Sequence, residues 1–282
     1  MSSSTAFASQ DVAAVAAQLS AEISSGQMVL PVLPNVAAEV LSSSLDDQSD
    51  AARLAELIQQ DQSLAAHVLR VVNSPAFRGA NEIVALRQAI ARLGMERIRE
   101  IALSASIKGI LFNGGRYEAL ADDAWRVSLA SGLWSKEVAR SVKKNVEVAY
   151  LCGLLHNIGA PLVLHRLGEL APDLTTSDVI SILAAQTPTA GAALATVWRL
   201  PETVAAAICH LNDPEAAGTH VDAVAVAACG AALGRWMCDR SLLLADLLEL
   251  PAIAYLNLYR EDVEKLLENQ DDIRISMESM LL

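Results

Sequence analysis

Gly153-Leu154-Leu155-His156-Asn157-Ile158-Gly159 is the stretch on which the reading of this chain turns. An imidazole and a carboxylate side by side on a helix make a good ligand pair for iron, manganese or zinc. Here the second member is an amide. Asn157 offers a weak carbonyl oxygen and no charge to offset a divalent cation, so the motif implies a helical scaffold with the shape of a metal site and without its chemistry.

The composition agrees with a helical scaffold. The chain has 282 residues, a length that suggests about two domains of roughly 100 to 200 residues each. Hydrophobic residues make up 53% and aromatics only 4%, with Ala and Leu supplying much of the excess, which favours closely packed helices over sheets. An all-α fold of two packed helical bundles is expected. The net charge of -12 and pI near 4.8 predict a surface that repels phosphate backbones, and no Lys/Arg cluster resembles a nucleic-acid footprint, so nucleic acid is excluded as a partner.

Residues 1–10 are Ser-rich, without basic residues or an apolar core, which predicts a frayed end rather than a secretory signal and a cytoplasmic location. Two uncharged stretches, 148–164 and 179–198, approach membrane-span length, but they carry His156, Asn157 and Pro161, and Gln186 and Pro188. They read as core helices and not as membrane spans. Cys152, Cys209, Cys229 and Cys238 lack a close CxxC spacing and are expected to be reduced thiols without chemistry.

Along the chain, residues 11–23 have helical spacing and stop at Ser24-Ser25-Gly26, giving a tail and leading helix over 1–26. Leu30-Pro31-Val32-Leu33-Pro34 follows as a rigid extended entry, because each proline fixes its own φ and restricts its predecessor. Asp50, then Asp61 or Ser63, are expected to cap successive helices, the second with Leu64, Val68, Val71 and Val72 inward and ending at Asn73-Ser74-Pro75. A helix over 84–93 should end at Gly94, followed by one over 95–111, completing a first bundle over 27–112. Phe112-Asn113-Gly114-Gly115-Arg116 is the expected boundary. A second bundle over 117–282 is predicted with helices at 120–142, 146–165, 178–186, 189–199, 202–210 and 221–239, broken at Asn145, Pro172, Pro188, Pro201 and Pro214. The acid-rich 261–282 should add amphipathic helix to that bundle.

Several of these segments together resemble the HDOD domain, the bacterial HD-related output domain. They are Leu30 to Pro34, Ile58-Gln59-Gln60-Asp61-Gln62-Ser63-Leu64, Leu69-Arg70-Val71-Val72-Asn73-Ser74, Ala89-Ile90-Ala91-Arg92-Leu93-Gly94, the His156-Asn157 motif, and Val197-Trp198-Arg199-Leu200-Pro201. The resemblance implies a family-specific N-terminal bundle and a second, HD-like bundle. It also implies a signalling or regulatory role in preference to a proven enzymatic one.

HD hydrolases bind metal through an earlier His, the His-Asp doublet and a later Asp. By that resemblance the earlier ligand position falls on Val127, the next near Thr187 and the later carboxylate around Ala228-Cys229-Gly230, none of which supplies a ligand. Only His156, Asn157 and His210 remain as remnants of the site. No catalytic residue, metal or other cofactor is therefore expected. The reading that results is a non-catalytic signal-transduction module acting through a protein partner of unknown identity, with residues 73–78 or a groove between the bundles as the docking face. A second reading makes the emptied pocket a small-ligand, nucleotide sensor using Arg126, His156 and His210, with Arg199 as a further counter-ion. A third, a residual metal-dependent phosphohydrolase, would need Asp122, Asp123 or Asp213 as rescuing ligands. His210, at a helix end, is otherwise expected to interact with the terminal carbonyls, and Trp198 to anchor the core.

Overall fold

The computed structural model describes residues 4–43, 51–112, 115–239 and 243–282, and no strand occurs among them. The first half comprises α1 (Ser4–Ser24), α2 (Asn35–Ser43), α3 (Ala51–Gln60), α4 (Gln62–Val72), α5 (Leu86–Leu93) and α6 (Met95–Leu111). The second comprises α7 (Glu118–Ser141), α8 (Val146–Leu155), α9 (Gly159–Leu170), α10 (Thr176–Val197), α11 (Glu202–His210) and α12 (Val221–Cys238), with a 3₁₀ turn over Pro214–His220. Four shorter helices follow: α13 (Leu244–Leu248), α14 (Pro251–Tyr255), α15 (Arg260–Leu267) and α16 (Gln270–Met280).

Local chemistry sets many of the boundaries. The Asp61 carboxylate accepts the Leu64 N–H at 3.0 Å and caps α4, which buries Leu64, Val68, Val71 and Val72. Gly94 has φ +81°, a region that favours glycine, and both ends α5 and starts α6. The Asn145 side chain accepts the Val148 N–H and caps α8. Asp50, Asn113 and Gly114 lie outside the described residues, so the cap expected at Asp50 does too.

Three expectations are corrected. Residues 35–43, which no periodicity marked, form α2 behind the extended Leu-Pro segment. The helix expected over 146–165 is two helices, because the chain tightens to i→i−3 hydrogen bonds at His156-Asn157-Ile158 (Ile158 N–H to Leu155 O, 3.2 Å; Ala160 N–H to Asn157 O, 3.1 Å). The break expected at Pro188 is absent, and α10 runs straight through it. An interior proline removes one backbone bond and crowds the preceding turn, at about 3 kcal/mol. Two features offset this: the carbonyl it strands, on Ala184, belongs to an exposed turn, and the turn after Pro188 buries Ala190, Gly191 and Leu194.

The second bundle is organised by close approach of α7 to α8 and α12. A Cβ on Gly153 of α8 would stand 2.3 Å from Ser135 Oγ and 2.6 Å from the Ser131 carbonyl oxygen. One on Gly230 of α12 would stand 2.1 Å from Ser135 Oγ, and one on Gly234 2.7 Å from Ser131 Oγ. Both contacts run antiparallel to α7, with Gly230 against Ser135 and Gly234 against Ser131. Small residues on all three helices let the backbones nearly touch, a geometry available only where a Cβ is missing.

The bundles are joined by charge as well as by a continuous apolar core. Lys136 of α7 and Glu100 of α6 are both buried and paired; Lys136 also reaches Glu96 at 3.1 Å, and Arg97 reaches Glu100 at 3.0 Å. The Lys136 ammonium lies 5.8 Å from the centre of the Tyr150 ring of α8, whose hydroxyl donates to the Glu100 carbonyl oxygen at 3.3 Å. Chain ends cross the boundary too. α1 packs on α9 and α10, α16 packs on α6 and α7, and buried Trp198 donates its indole N–H to the Pro31 carbonyl oxygen at 2.8 Å.

Two stability changes are expected. Gly230→Ala should lower unfolding free energy by about 1–3 kcal/mol through overpacking, with only partial recovery in the Ser135→Gly background because the Ser135 backbone is also in the way, as read by denaturant melts. Lys136→Met should cost about 3 kcal/mol in the same assay, since it leaves Glu100 buried with Arg97 as its remaining partner.

Candidate functional site

His156 closes α8, one turn beyond the Gly153 contact with α7, and so lies at the level of Ser128 and Val127. Its Nδ1 donates to the Gly153 carbonyl oxygen at 2.7 Å, which makes the neutral ring the Nδ1–H tautomer and leaves Nε2 as an acceptor. Burial, with a contribution from the nearby Arg235 cation, pushes the imidazole pKa down to about 4, against the opposing effect of the Gly153 bond. The ring is neutral at pH 7. Asn157 follows in the tight turn, its carbonyl accepting from the Ala160 N–H.

Gly159 then seats α9 directly on α10. A Cβ there would stand 2.0 Å from the Thr187 carbonyl oxygen and 2.6 Å from the Gly191 nitrogen. Thr187 is thus brought beside the doublet, where it presents its backbone carbonyl. Gly191 in turn faces Ile208 of α11, which sets the His210 end of α11 on the same side of the bundle. Among the described residues, no hydrogen bond or ion pair joins His210 to His156. Arg126 is exposed on α7, and its charge is felt at Cys238 together with that of Asp123; it has no hydrogen bond or ion pair to either imidazole among the described residues.

The segment Ala228-Cys229-Gly230 is not level with the doublet. Because Gly230 is level with Ser135, Ala228-Cys229-Gly230 lies eight residues of α7, about 12 Å along the helix, from Val127. The part of α12 level with His156 begins at Gly234 and includes Arg235. That arginine escaped the sequence reading, although it is the first charge after Asp222 in an otherwise neutral helix, a signal that could have drawn attention to it.

The donors present do not fit a divalent cation. No three His, Cys, Asp or Glu side chains converge on one point among the described residues, Asn157 is neutral, and the charge felt at the imidazole, that of Arg235, is positive. Asp122, Asp123 and Asp213 are exposed and do not form such a group. The thiols of Cys152 and Cys229 are buried, and burial pushes both up to about 12, so neither is available as thiolate.

An all-helical scaffold with a tight turn at a His-Asn doublet places this protein in the class of HD-related helical folds. The chain belongs to the HDOD family: the model of the HDOD domain matches residues 30–214. An HDOD-domain protein of unknown function from Geobacter sulfurreducens superposes with a TM-score of 0.74 at 23% identity, covering 93% of this chain and 97% of that one. A Shewanella amazonensis SB2B protein provisionally named a metal-dependent phosphohydrolase gives 0.73 at 21% identity, covering 95% and 99%. A Marinobacter aquaeolei VT8 protein provisionally named for signal transduction gives 0.64 at 22%, covering 96% and 67%. At these identities the likeness is one of fold. An uncharacterized Treponema pallidum (strain Nichols) protein is 27% identical over 204 residues, 66% of this chain, and the match spans only 38% of that relative's length.

At His156 the unfolded state takes up a proton near pH 6.5 and the folded state only near pH 4, so stability should fall as pH drops through that window, by at most about 3 kcal/mol. Denaturant melts between pH 7 and pH 4 should show that loss, and His156→Gln should flatten it.

Proposed function

We propose that this protein is a non-catalytic signal-transduction module that works in the cytoplasm by contact with a protein partner. The observation that carries the reading is the doublet itself: an imidazole held neutral and tied to its own helix, with an amide in place of a carboxylate beside it. The scaffold around it remains closely packed, which suits a surface-presenting role. Membership of the HDOD family and the name of the Marinobacter neighbour support signalling as the setting. The strongly acidic balance argues against a nucleic-acid partner.

Three helical stretches, Val146–Leu170, Thr176–Val197 and Pro214–Cys238, are long and apolar enough to cross a membrane. We read them as core elements. The first is interrupted at His156-Asn157-Ile158, the third contains a 3₁₀ turn with Gly218 at φ +59°, and 67% and 56% of their most apolar windows are buried against other helices. Thr176–Val197, 33% buried in the same sense, has its inner face on α9 and α1.

The test is elemental analysis of protein purified without chelator, together with turnover of a chromogenic phosphodiester in added Mn²⁺ and affinity capture from cells after crosslinking. Substoichiometric metal, no turnover dependent on His156, and recovery of one signalling protein whose capture is lost on substitution of the contact surface are expected. Near-stoichiometric transition metal and phosphodiester hydrolysis, both lost in His156→Ala, would overturn the proposal in favour of a phosphohydrolase.

A further inference from the structure

The first bundle contains a cavity of about 660 Å³ on helices other than those of the His156 site. It opens between the starts of α2 and α4 and the second half of α6, and Leu281 and Leu282 close one side. Its volume falls within the range of small-molecule pockets, about 300–1,000 Å³. Two of its polar groups have no role in holding the fold. Lys108 is half-buried, and among the described residues its ammonium has neither an ion pair nor a hydrogen-bond acceptor. His67 carries a buried Nε2 with no hydrogen-bond partner.

A polar group withdrawn from water without a partner costs free energy, and the His67 Nε2 is such a group. In a chain of net charge -12, Lys108 lines the cavity, and Arg70, one turn beyond His67, donates to a carboxyl oxygen of Leu282 at 2.8 Å. Burial, then the charges of Arg70 and Lys108, hold the His67 imidazole below its usual range. Of the carboxyl groups on the wall, that of Asp61 is engaged in capping α4 and that of Leu282 accepts from Arg70. Leu57, Leu64 and Ile110 add apolar groups to the lining.

We propose that this cavity binds a nucleotide-sized phosphomonoester, with the phosphate on Lys108 and His67 and the uncharged part against Leu57, Leu64 and Ile110. A phosphate brings the acceptors that both groups lack, and its charge favours protonation of the His67 ring, which burial and the neighbouring cations otherwise oppose. The site is separate from the former metal pocket, so it stands or falls independently of the signalling role proposed above.

The test uses the full chain with inorganic phosphate and adenosine monophosphate as probes, followed by calorimetry and by NMR of the His67 ring, with exposed His165 as the internal reference. Both probes should move the His67 resonances toward the imidazolium position and leave His165 unchanged, and the nucleotide should bind more tightly than phosphate. Lys108→Met should weaken binding about tenfold or more. Undisturbed His67 resonances at tens of millimolar phosphate, or affinity unchanged in Lys108→Met, would overturn the proposal. The wild-type NMR result decides the matter even if the variant is unstable.

Discussion

The second bundle depends on one steric condition: α7 must have room to lie almost in backbone contact with α8 and α12. Gly153, Gly230 and Gly234 supply that room, and Ser131 and Ser135 fill it with the smallest polar side chains that a helix carries well. Dispersion falls steeply with distance, so a gap of even an ångström along these seams would forfeit much of the attraction. Ser135 Oγ is buried without a hydrogen-bond partner, a sign that size and not polarity selects the residue there. The register of the three helices, and with it the position of the His156 turn, follows from these contacts.

The ionic cluster at Glu100 and Lys136 performs a different task. Apolar packing between bundles tolerates sliding, whereas a buried ammonium shared by two carboxylates and faced by an aromatic ring is satisfied in only one arrangement. Its location at the meeting of α6, α7 and α8 fixes how the first bundle sits on the second. Glu147, partly exposed at the edge of the cluster near Arg99, has its carboxyl pKa raised by partial burial, with the Arg99 charge opposing.

Much of this architecture is legible in the residues, and the parts that are not share a cause. Helices whose identity rests on a periodic apolar face or a capping side chain, such as α4 behind Asp61 and α6 behind Gly94, can be read locally. α10 cannot, because Pro188 argues for a stop and only the packing of α10 on α9 overrides it. The turn at His156 is hidden within an apolar run because the reason for it, the seating of Gly159 on the Thr187 carbonyl, is thirty residues away. At the site, the doublet and its missing carboxylate are visible in seven letters. Arg235 and the level of α12 beside His156 are not, since they depend on a helix register set by glycines that look unremarkable in a sequence so rich in small residues.

The bond from Trp198 to Pro31 joins positions 167 residues apart, and α1 has its packing partners in the same later region. During synthesis at about 5–20 residues per second, the leading helix and the Leu-Pro segment therefore emerge roughly ten to thirty seconds before the surface that receives them exists. For that interval Leu19 and Ile23, buried in the finished protein, have no native cover. The order in which the chain is made thus runs against the order in which it can close, and the nascent protein must keep its first helix soluble until its tenth has been built.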